Sequence, residues 1–380
     1  MITMNITDYV KEVKNQSFYD LPINKLDILV FTLLSYIDFE GAVPKSFDRY
    51  HAPRLDQVAQ SLTDLTPSPT MTQNHLDLLQ LASQTLRYKS VKVMGYVNDI
   101  DPDVEKQFSA TTFRLLTKTY LVAFRGTDDS IIGWKEDFHM TYMPTIPSQT
   151  LATAYLQDAI SQLDGSFLVS GHSKGGNLAT YSSSHLAASF AQKIEKIYSF
   201  DAPGLHHSVI KSPSYQKISP RIERFIPNGS IVGMMLEIPE TAAVVQSTAL
   251  SGISQHNPFS WKIEGRDFLL AAGLNADSLQ TDKTFKAWTA SIPDEDLKEF
   301  WDLFFKLLRD ADIESIGDFF RFSFSTKLAK VIENARNLSE EDAEMLTRVT
   351  RLLFQLRMEA LREDLPIPDF FKRFDRKEDA

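Results

Sequence analysis

A serine set between glycines is the first feature of the sequence that could do chemistry. Residues 167–176 read FLVSGHSKGG, so Ser173 has a glycine two positions before it and another two positions after it. The apolar run before the serine predicts a buried strand, and residues 174–190 predict a helix. A G-x-S-x-G segment at such a turn is typical of a nucleophile elbow, which presents the serine hydroxyl for attack on a carbonyl carbon. The backbone N–H of Lys174, at the start of the helix, would then stabilise a developing oxyanion.

A serine nucleophile needs a general base, and after an elbow of this kind the triad acid and then the histidine follow in the chain. Beyond the helix that follows Ser173, three of the eight histidines remain: His206, His207 and His256. The first two lie only a few residues beyond the strand that carries Asp201. This is too close to Asp201 for either histidine to serve easily as the base of the same triad. His256 lies in a polar loop after the last strong strand signal. We therefore predict His256 as the base.

Short β-branched and aromatic runs alternate with helical segments through the middle of the chain, and they would position these residues. Strands are predicted at 91–97, 110–116, 119–124, 167–170, 196–200 and 222–226, with weaker candidates at 243–247 and 261–265. Helices are predicted at 148–163 and 174–190. Strands that alternate with helices indicate βαβ units, so we predict a mostly parallel central sheet flanked by helices.

The two ends of the chain predict helices without strands. Residues 26–37 are apolar on nearly all sides, which indicates a buried helix. Past about residue 275 the strand signal stops, and helix starts are predicted near Pro293 and at Ser339. We predict three parts: an N-terminal helical lead-in packed on the core (residues 1–90), an α/β core (91–274) and a C-terminal helical extension (275–380).

Three motifs, taken in chain order, resemble those of a known family. Residues 120–127 read YLVAFRGT, residues 134–137 read WKED and residues 171–176 read GHSKGG. This series is similar to the F-R-G-[ST], W-x-x-D and G-H-S-x-G-G motifs of the class 3, or fungal-type, lipases. The form GHSKGGNLA looks closer to a bacterial lipase-like family of unassigned function. The resemblance covers about residues 115–260 and implies an α/β-hydrolase fold and hydrolysis of a carboxylic ester of the acyl-lipid type.

The resemblance also implies an oxyanion role for Thr127, because in those lipases the residue after F-R-G donates to the oxyanion. A tetrahedral intermediate needs at least two donors, and the Lys174 N–H would be the other. The alternative is that residues 126–129 form only a turn. We expect Arg125 and Asp137 to form a structural ion pair. The Lys174 side chain either contacts an anionic group, on the substrate or on a nearby acid, or is solvated at the rim.

The triad acid is where the sequence departs from the family pattern. In class 3 lipases it lies in an N-D-x-V-P-like segment, but the corresponding residues 228–232 read NGSIV and hold no carboxylate. Asp201, which follows the preceding strand, resembles in position the acid of pancreatic-type lipases, and we predict that it orients His256. The alternatives are Ser230, Glu237 or no acid at all, with Asp201 only capping the turn that follows it.

Composition excludes several kinds of site. The chain has no cysteine, which excludes disulfides, thiolate zinc sites, iron–sulfur clusters and a cysteine nucleophile. Forty Lys and Arg against fifty Asp and Glu give a net charge of −10 without a basic block, so no nucleic-acid ligand is predicted. Because no H-E-x-x-H, P-loop or G-x-G-x-x-G motif is present, we predict no metal and no cofactor.

The sequence also predicts the cellular location of the protein. The first thirty residues lack a secretory signal, and no apolar run approaches the ~20 residues that span a bilayer, so we expect a cytoplasmic protein without a transmembrane segment.

Two aromatic-rich segments, Phe300–Phe305 and Phe319–Phe324, are interpreted as core or dimer interface. A lid, an acyl-pocket wall or a peripheral membrane contact is the alternative.

Two functions therefore compete at this point. The first is a serine esterase or lipase-like hydrolase that acts on a small acyl ester with Ser173, His256 and Asp201. The second is a catalytically weak or silent protein of the same fold that binds a lipid or a protein partner, motivated by the departure at the family's acid position.

Overall fold

A seven-stranded sheet forms the centre of the computed structural model, which describes residues 3–68, 71–101, 106–127, 131–236, 238–250, 252–313 and 324–364. The strands lie side by side in chain order. They are β1 (Lys92–Asp101), β2 (Lys106–Leu116), β3 (Thr119–Phe124), β4 (Ser166–His172), β5 (Ile194–Phe200), β6 (Ile222–Pro227) and β7 (Ala242–Val245). The first two pairings are antiparallel and the four from β3 to β7 are parallel. The prediction of a mostly parallel α/β-hydrolase sheet is confirmed.

Parallel pairing decides where a site can form. The carboxyl ends of β3 to β7 lie at one edge of the sheet, so the residues that follow these strands are gathered there. Ser173 follows β4, Asp201 follows β5, and Arg125 to Thr127 follow β3. Residues far apart in the chain are thereby brought to a common edge.

Helices cover both faces of the sheet. The helices between the strands and at both ends are α1 (Ile6–Val13), α2 (Lys25–Leu34), α3 (Leu55–Ser61), α4 (Gln73–Ser83), α5 (Ile131–His139), α6 (Pro147–Gln162), α7 (Lys174–Ser184), α8 (Ala188–Ala191), α9 (His207–Ile210), α10 (Pro213–Ile218), α11 (Gly252–Gln255), α12 (Ala276–Ala290), α13 (Asp294–Asp310), α14 (Phe324–Arg336) and α15 (Glu340–Asp364). A small hairpin, β8 (Ile263–Glu264) and β9 (Asp267–Phe268), precedes α12.

Side chains along β3 alternate between the two faces of the sheet, and each face packs against a different set of helices. Leu121 and Ala123 pack in the core formed with α1, α2 and α4, whereas Val122 and Phe124 pack in the core formed with α6 and α7. The predicted all-round apolar helix near residue 26 is confirmed, because every residue of α2 from Leu26 onward is buried. Its position under the sheet explains why it has no polar face.

The helices after residue 275 form a third apolar cluster together with α5. Trp288, Phe300 and Trp301 are buried in it, and the Trp301 ring stacks on Phe138 of α5 with 4.0 Å between ring centroids. The first aromatic segment is therefore packed as core. Three aromatic residues of the second segment lie outside the described residues: Phe319, Phe320 and Phe322. None of the helices in the described ranges has both the length and the apolar character that crossing a bilayer demands.

Candidate active site

Ser173 lies at the sharp turn between β4 and α7 in a strained backbone conformation. Its φ is 58° and its ψ is −136°, a region that non-glycine residues rarely adopt. The turn is so tight that a Cβ on Gly171 would lie 2.0 Å from the carbonyl carbon of Gly175, and a Cβ on Gly175 would lie 2.1 Å from the backbone oxygen of Phe124. Both glycines are therefore required by close backbone approach, and the serine is held at the start of α7.

Asp201 and His256 form a short polar contact at this edge of the sheet. His256 Nδ1 lies 2.6 Å from Asp201 Oδ2, and the Asp201 side chain is fully buried. The other carboxylate oxygen accepts from Ser230 Oγ at 2.5 Å and from the Gly233 N–H at 3.2 Å. A proton on Nδ1 directed at the carboxylate leaves His256 Nε2 as the proton acceptor. Ser230 thus binds Asp201, while Glu237 lies outside the described residues.

His172, the residue before the nucleophile, holds the loop that carries His256. Its Nε2 lies 2.8 Å from the backbone oxygen of His256, and its Nδ1 lies 2.9 Å from the Tyr36 hydroxyl. Nε2 must donate to the carbonyl, and in a neutral ring Nδ1 then accepts from the Tyr36 hydroxyl. Burial accordingly keeps the pKa of His172 well below its ordinary value. The two imidazole rings are 4.5 Å apart between centroids, which places His256 beside the elbow.

Ser173 itself is almost fully buried. The residue is 7% exposed, and within the described ranges no hydrogen bond joins its Oγ to His256. Hydrogen bonds of catalytic groups are commonly long in an unliganded site and tighten when substrate binds. The structure therefore brings the histidine and the carboxylate together and places the serine next to them, without a serine–histidine hydrogen bond.

The F-R-G-T segment lies directly against the elbow. A Cβ on Gly126 would lie 2.5 Å from the backbone oxygen of His172 and 3.0 Å from Ser173 Cβ. Thr127 follows and donates from Oγ1 to Asp137 Oδ2 at 2.5 Å. Burial raises the pKa of the Asp137 carboxyl group to about 7, although the charge of Lys174 and the Thr127 hydrogen bond oppose the shift.

The expected ion pair between Arg125 and Asp137 is wrong. Arg125 donates from Nη2 to Asn98 Oδ1 at 3.0 Å, and Asp137 instead faces Thr127 and, at 4.0 Å, the Lys174 ammonium group. Arg125, which follows β3, and Asp137, on α5, therefore contact different neighbours. Sequence spacing alone could not show this, since each contact joins separate elements.

The Lys174 side chain is completely buried, which settles its two interpretations. Its Nζ lies 2.8 Å from Glu136 Oε2 and donates to the Gln107 backbone oxygen at 3.0 Å. The partner is thus a nearby acid, and the solvated rim position is wrong. Glu136 also accepts from Ser148 Oγ at 2.5 Å and from the Gln107 N–H at 3.0 Å.

These contacts connect α5 to both candidate oxyanion donors. Glu136 of α5 binds the side chain of Lys174, and the adjacent Asp137 binds the side chain of Thr127. The backbone N–H of Lys174 is among the first four of α7, which have no acceptor within their own helix. The sequence indicated neither Glu136 nor Tyr36 as part of the site, because their partners lie 38 and 136 residues away in the chain.

Comparison with known proteins identifies the family. The model of the Mbeg1-like family matches residues 82–306, more than half of the chain, and the chain belongs to that family. No curated protein matches the chain.

Among solved structures, the chain is similar to three lipases. The M37 lipase is 16% identical, with 56% of this chain and 70% of that chain covered and a TM-score of 0.38. The native lipase propeptide complex of Rhizomucor miehei is 16% identical, with 45% and 66% covered and a TM-score of 0.31. The Lip2 lipase of Yarrowia lipolytica is 13% identical, with 51% and 79% covered and a TM-score of 0.30.

Proposed function

We propose that this member of the Mbeg1-like family is a serine hydrolase that cleaves a carboxylic ester through an acyl-enzyme on Ser173. The observation that carries the proposal is the buried Asp201 carboxylate 2.6 Å from His256 Nδ1, next to a serine in a strained strand-to-helix turn. A structural histidine would not need a fully buried carboxylate that is itself held by Ser230 and Gly233. Such an orienting carboxylate is what a histidine base requires.

The reaction follows from the positions of these groups. Ser173 Oγ attacks the ester carbonyl carbon while His256 Nε2 takes the hydroxyl proton, and Asp201 stabilises the imidazolium that forms. The tetrahedral oxyanion receives hydrogen bonds from the backbone N–H groups of Thr127 and Lys174. The C–O bond to the alcohol then breaks, and His256 returns the proton to the departing alkoxide. Water, activated by the same histidine, releases the carboxylic acid from the acyl-enzyme.

The ester is proposed to be of the acyl-lipid type, on the strength of the three motifs shared with class 3 lipases. Neither a metal nor a cofactor is part of the proposed mechanism, because the serine, histidine and carboxylate supply the nucleophile, base and orienter.

Covalent labelling with a fluorophosphonate, read by intact mass, tests the proposal. We expect one label per wild-type chain, none with Ser173→Ala or His256→Ala, and slower labelling with Asp201→Asn. Ser161→Ala, an exposed serine on α6, is the matched control and should label fully. Circular dichroism of each variant shows whether loss of label reflects loss of fold.

The second candidate is a silent protein of the same fold that binds a lipid or a partner. Two observations favour it: Ser173 is 7% exposed, and its Oγ forms no hydrogen bond with His256 in the described part of the chain. A folded wild-type protein that takes up no label would support this candidate and contradict the hydrolase.

A further inference from the structure

A cavity of about 230 Å³ lies between the N-terminal helices and the sheet, where β3 ends. Its wall combines one cationic side chain, Arg125, with two carboxylates, Asp38 and Asp64. The remainder is lined by apolar side chains, among them Met71 and Ile100, and by uncharged polar residues. Pockets for drug-sized ligands occupy roughly 300–1,000 Å³, so this volume suits a smaller polar group.

Arg125 is a buried cation that forms no ion pair within the described part of the chain. The residue is 3% exposed, and among the described residues its guanidinium makes one side-chain hydrogen bond, to Asn98 Oδ1 at 3.0 Å. A guanidinium has five N–H donors, and a buried charge is costly unless a partner of opposite charge is near. A phosphate or carboxylate group in the cavity would supply that partner and could accept two parallel hydrogen bonds.

The rim of the cavity carries the opposite charge. Asp38 and Asp64 are both exposed. Oδ1 of Asp38 accepts from the Tyr96 hydroxyl at 3.0 Å and from the Glu40 N–H at 3.0 Å, which fixes the carboxylate at the rim. A simple anion would meet Arg125 but would also be repelled by these two carboxylates. A ligand that places a positive charge at the rim would satisfy both ends.

We propose that this cavity binds a small zwitterionic group, with its phosphate or carboxylate on Arg125 and its ammonium group toward Asp38 and Asp64. The assignment rests on the proposed function in one respect: the group is the headgroup of the ester substrate. Arg125 precedes Gly126, which contacts the elbow closely enough that an added Cβ would lie 3.0 Å from Ser173 Cβ. A headgroup in the cavity is therefore held at the same sheet edge as the nucleophile.

Calorimetric titration of the full-length Ser173→Ala protein with phosphocholine tests the cavity without any turnover. We expect saturable binding that is tighter than the binding of inorganic phosphate or of choline alone. Asp38→Asn and Asp64→Asn should each weaken phosphocholine binding about two- to fivefold, as expected for partly solvated charge pairs. Arg125→Lys should weaken it at least about tenfold, because the bidentate fork is lost.

The matched control is Asp164→Asn, an exposed carboxylate in the turn before β4, which should leave phosphocholine binding unchanged. The two rim variants keep the test decisive even if the Arg125 variant fails to fold. Absence of saturable phosphocholine binding would overturn the proposal, as would equal affinity for inorganic phosphate with no effect of the rim variants.

A second experiment separates a substrate headgroup from a free zwitterion. With the wild-type protein, kcat/KM is compared for a lysophosphatidylcholine and for a monoacylglycerol of the same acyl chain. We expect the lysophosphatidylcholine to have the higher kcat/KM, and Asp64→Asn to reduce this preference about two- to fivefold. Phosphocholine binding without this preference would overturn the headgroup assignment. Failure of the proposed function is distinct, since it would abolish fluorophosphonate labelling and leave phosphocholine binding to the Ser173→Ala protein intact.

Discussion

Replacing Lys174 with methionine is expected to destabilise the protein by about 3 kcal/mol. The ion pair with Glu136 has a separation of 2.8 Å, and both side chains have no exposed surface. At an effective dielectric constant of about 20, this separation corresponds to roughly 6 kcal/mol of attraction before the cost of desolvation. Removing one partner of a buried pair generally costs about 3–5 kcal/mol, because the other charge stays buried. Glu136 keeps donors from Gln107 and Ser148, which favours the lower value.

Urea unfolding at pH 7.5, followed by circular dichroism, measures this free energy. The double variant Lys174→Met with Glu136→Gln should recover most of the loss, since no unpaired charge is then buried. Lys118→Met is the matched control, because its pair with Asp164 is 2.7 Å long but exposed, and we expect it to leave stability almost unchanged. A loss for Lys174→Met no larger than that of the control, or a double variant less stable than Lys174→Met, would refute the reasoning.

Three further predictions concern the orienting acid, the buried carboxyl group and the C-terminal helices. Asp201→Asn should lower kcat for an ester substrate by about 10⁴-fold, since the amide favours the wrong imidazole tautomer; a loss below tenfold would contradict an orienting role. The pKa of the Asp137 carboxyl group is raised from 3.8 to about 7 in the folded protein. Between about pH 4 and pH 7 the folded state therefore keeps a proton that the unfolded state releases. The unfolding free energy is expected to fall by about 4 kcal/mol as pH rises through that window. Asp137→Asn should remove this contribution from the pH dependence of the unfolding free energy, and an unchanged slope would count against it. Trp301→Ala should cost about 3–5 kcal/mol of unfolding free energy, because the ring is buried and stacks on Phe138; a loss below 1 kcal/mol would show that the C-terminal helices do not stabilise α5.

Local sequence signals predicted the sheet and the turn at Ser173 well. Strands and helices of the core alternate where the pattern placed them, since each depends on residues close in the chain. The weakest strand candidates became short elements: 243–247 corresponds to β7 and 261–265 to the two-residue β8. The predicted helix 174–190 divides into α7 and α8, with Ser184 as the last residue of the first.

Contacts between distant elements could not be predicted in the same way. The sequence assigns no role to His172, yet its two ring nitrogens join Tyr36 of the N-terminal part to the backbone of His256. A lone tyrosine after an apolar helix gives no signal of such a role. The roles of Asp201 and His256 in catalysis stay predictions, although the two side chains lie within hydrogen-bond distance.

For Lys174 the sequence left two surroundings open, a nearby anionic group or solvent at the rim. A lysine after the nucleophile is ordinarily read as solvated, because burial of its charge is costly. Here β2 and α5 bring Gln107 and Glu136 to its ammonium group and make burial tolerable. This compensation depends on the packing of α5, which the C-terminal helices cover.

Trapping the acyl-enzyme tests the central claim most directly. The wild-type protein is mixed with a p-nitrophenyl ester, quenched in acid within the first turnover and digested, and the peptides are weighed by mass spectrometry. We predict one acyl group per chain on the peptide that contains Ser173, together with one equivalent of p-nitrophenol, and neither with Ser173→Ala. An acyl group on another residue, or p-nitrophenol release that the Ser173→Ala variant retains, would contradict the account.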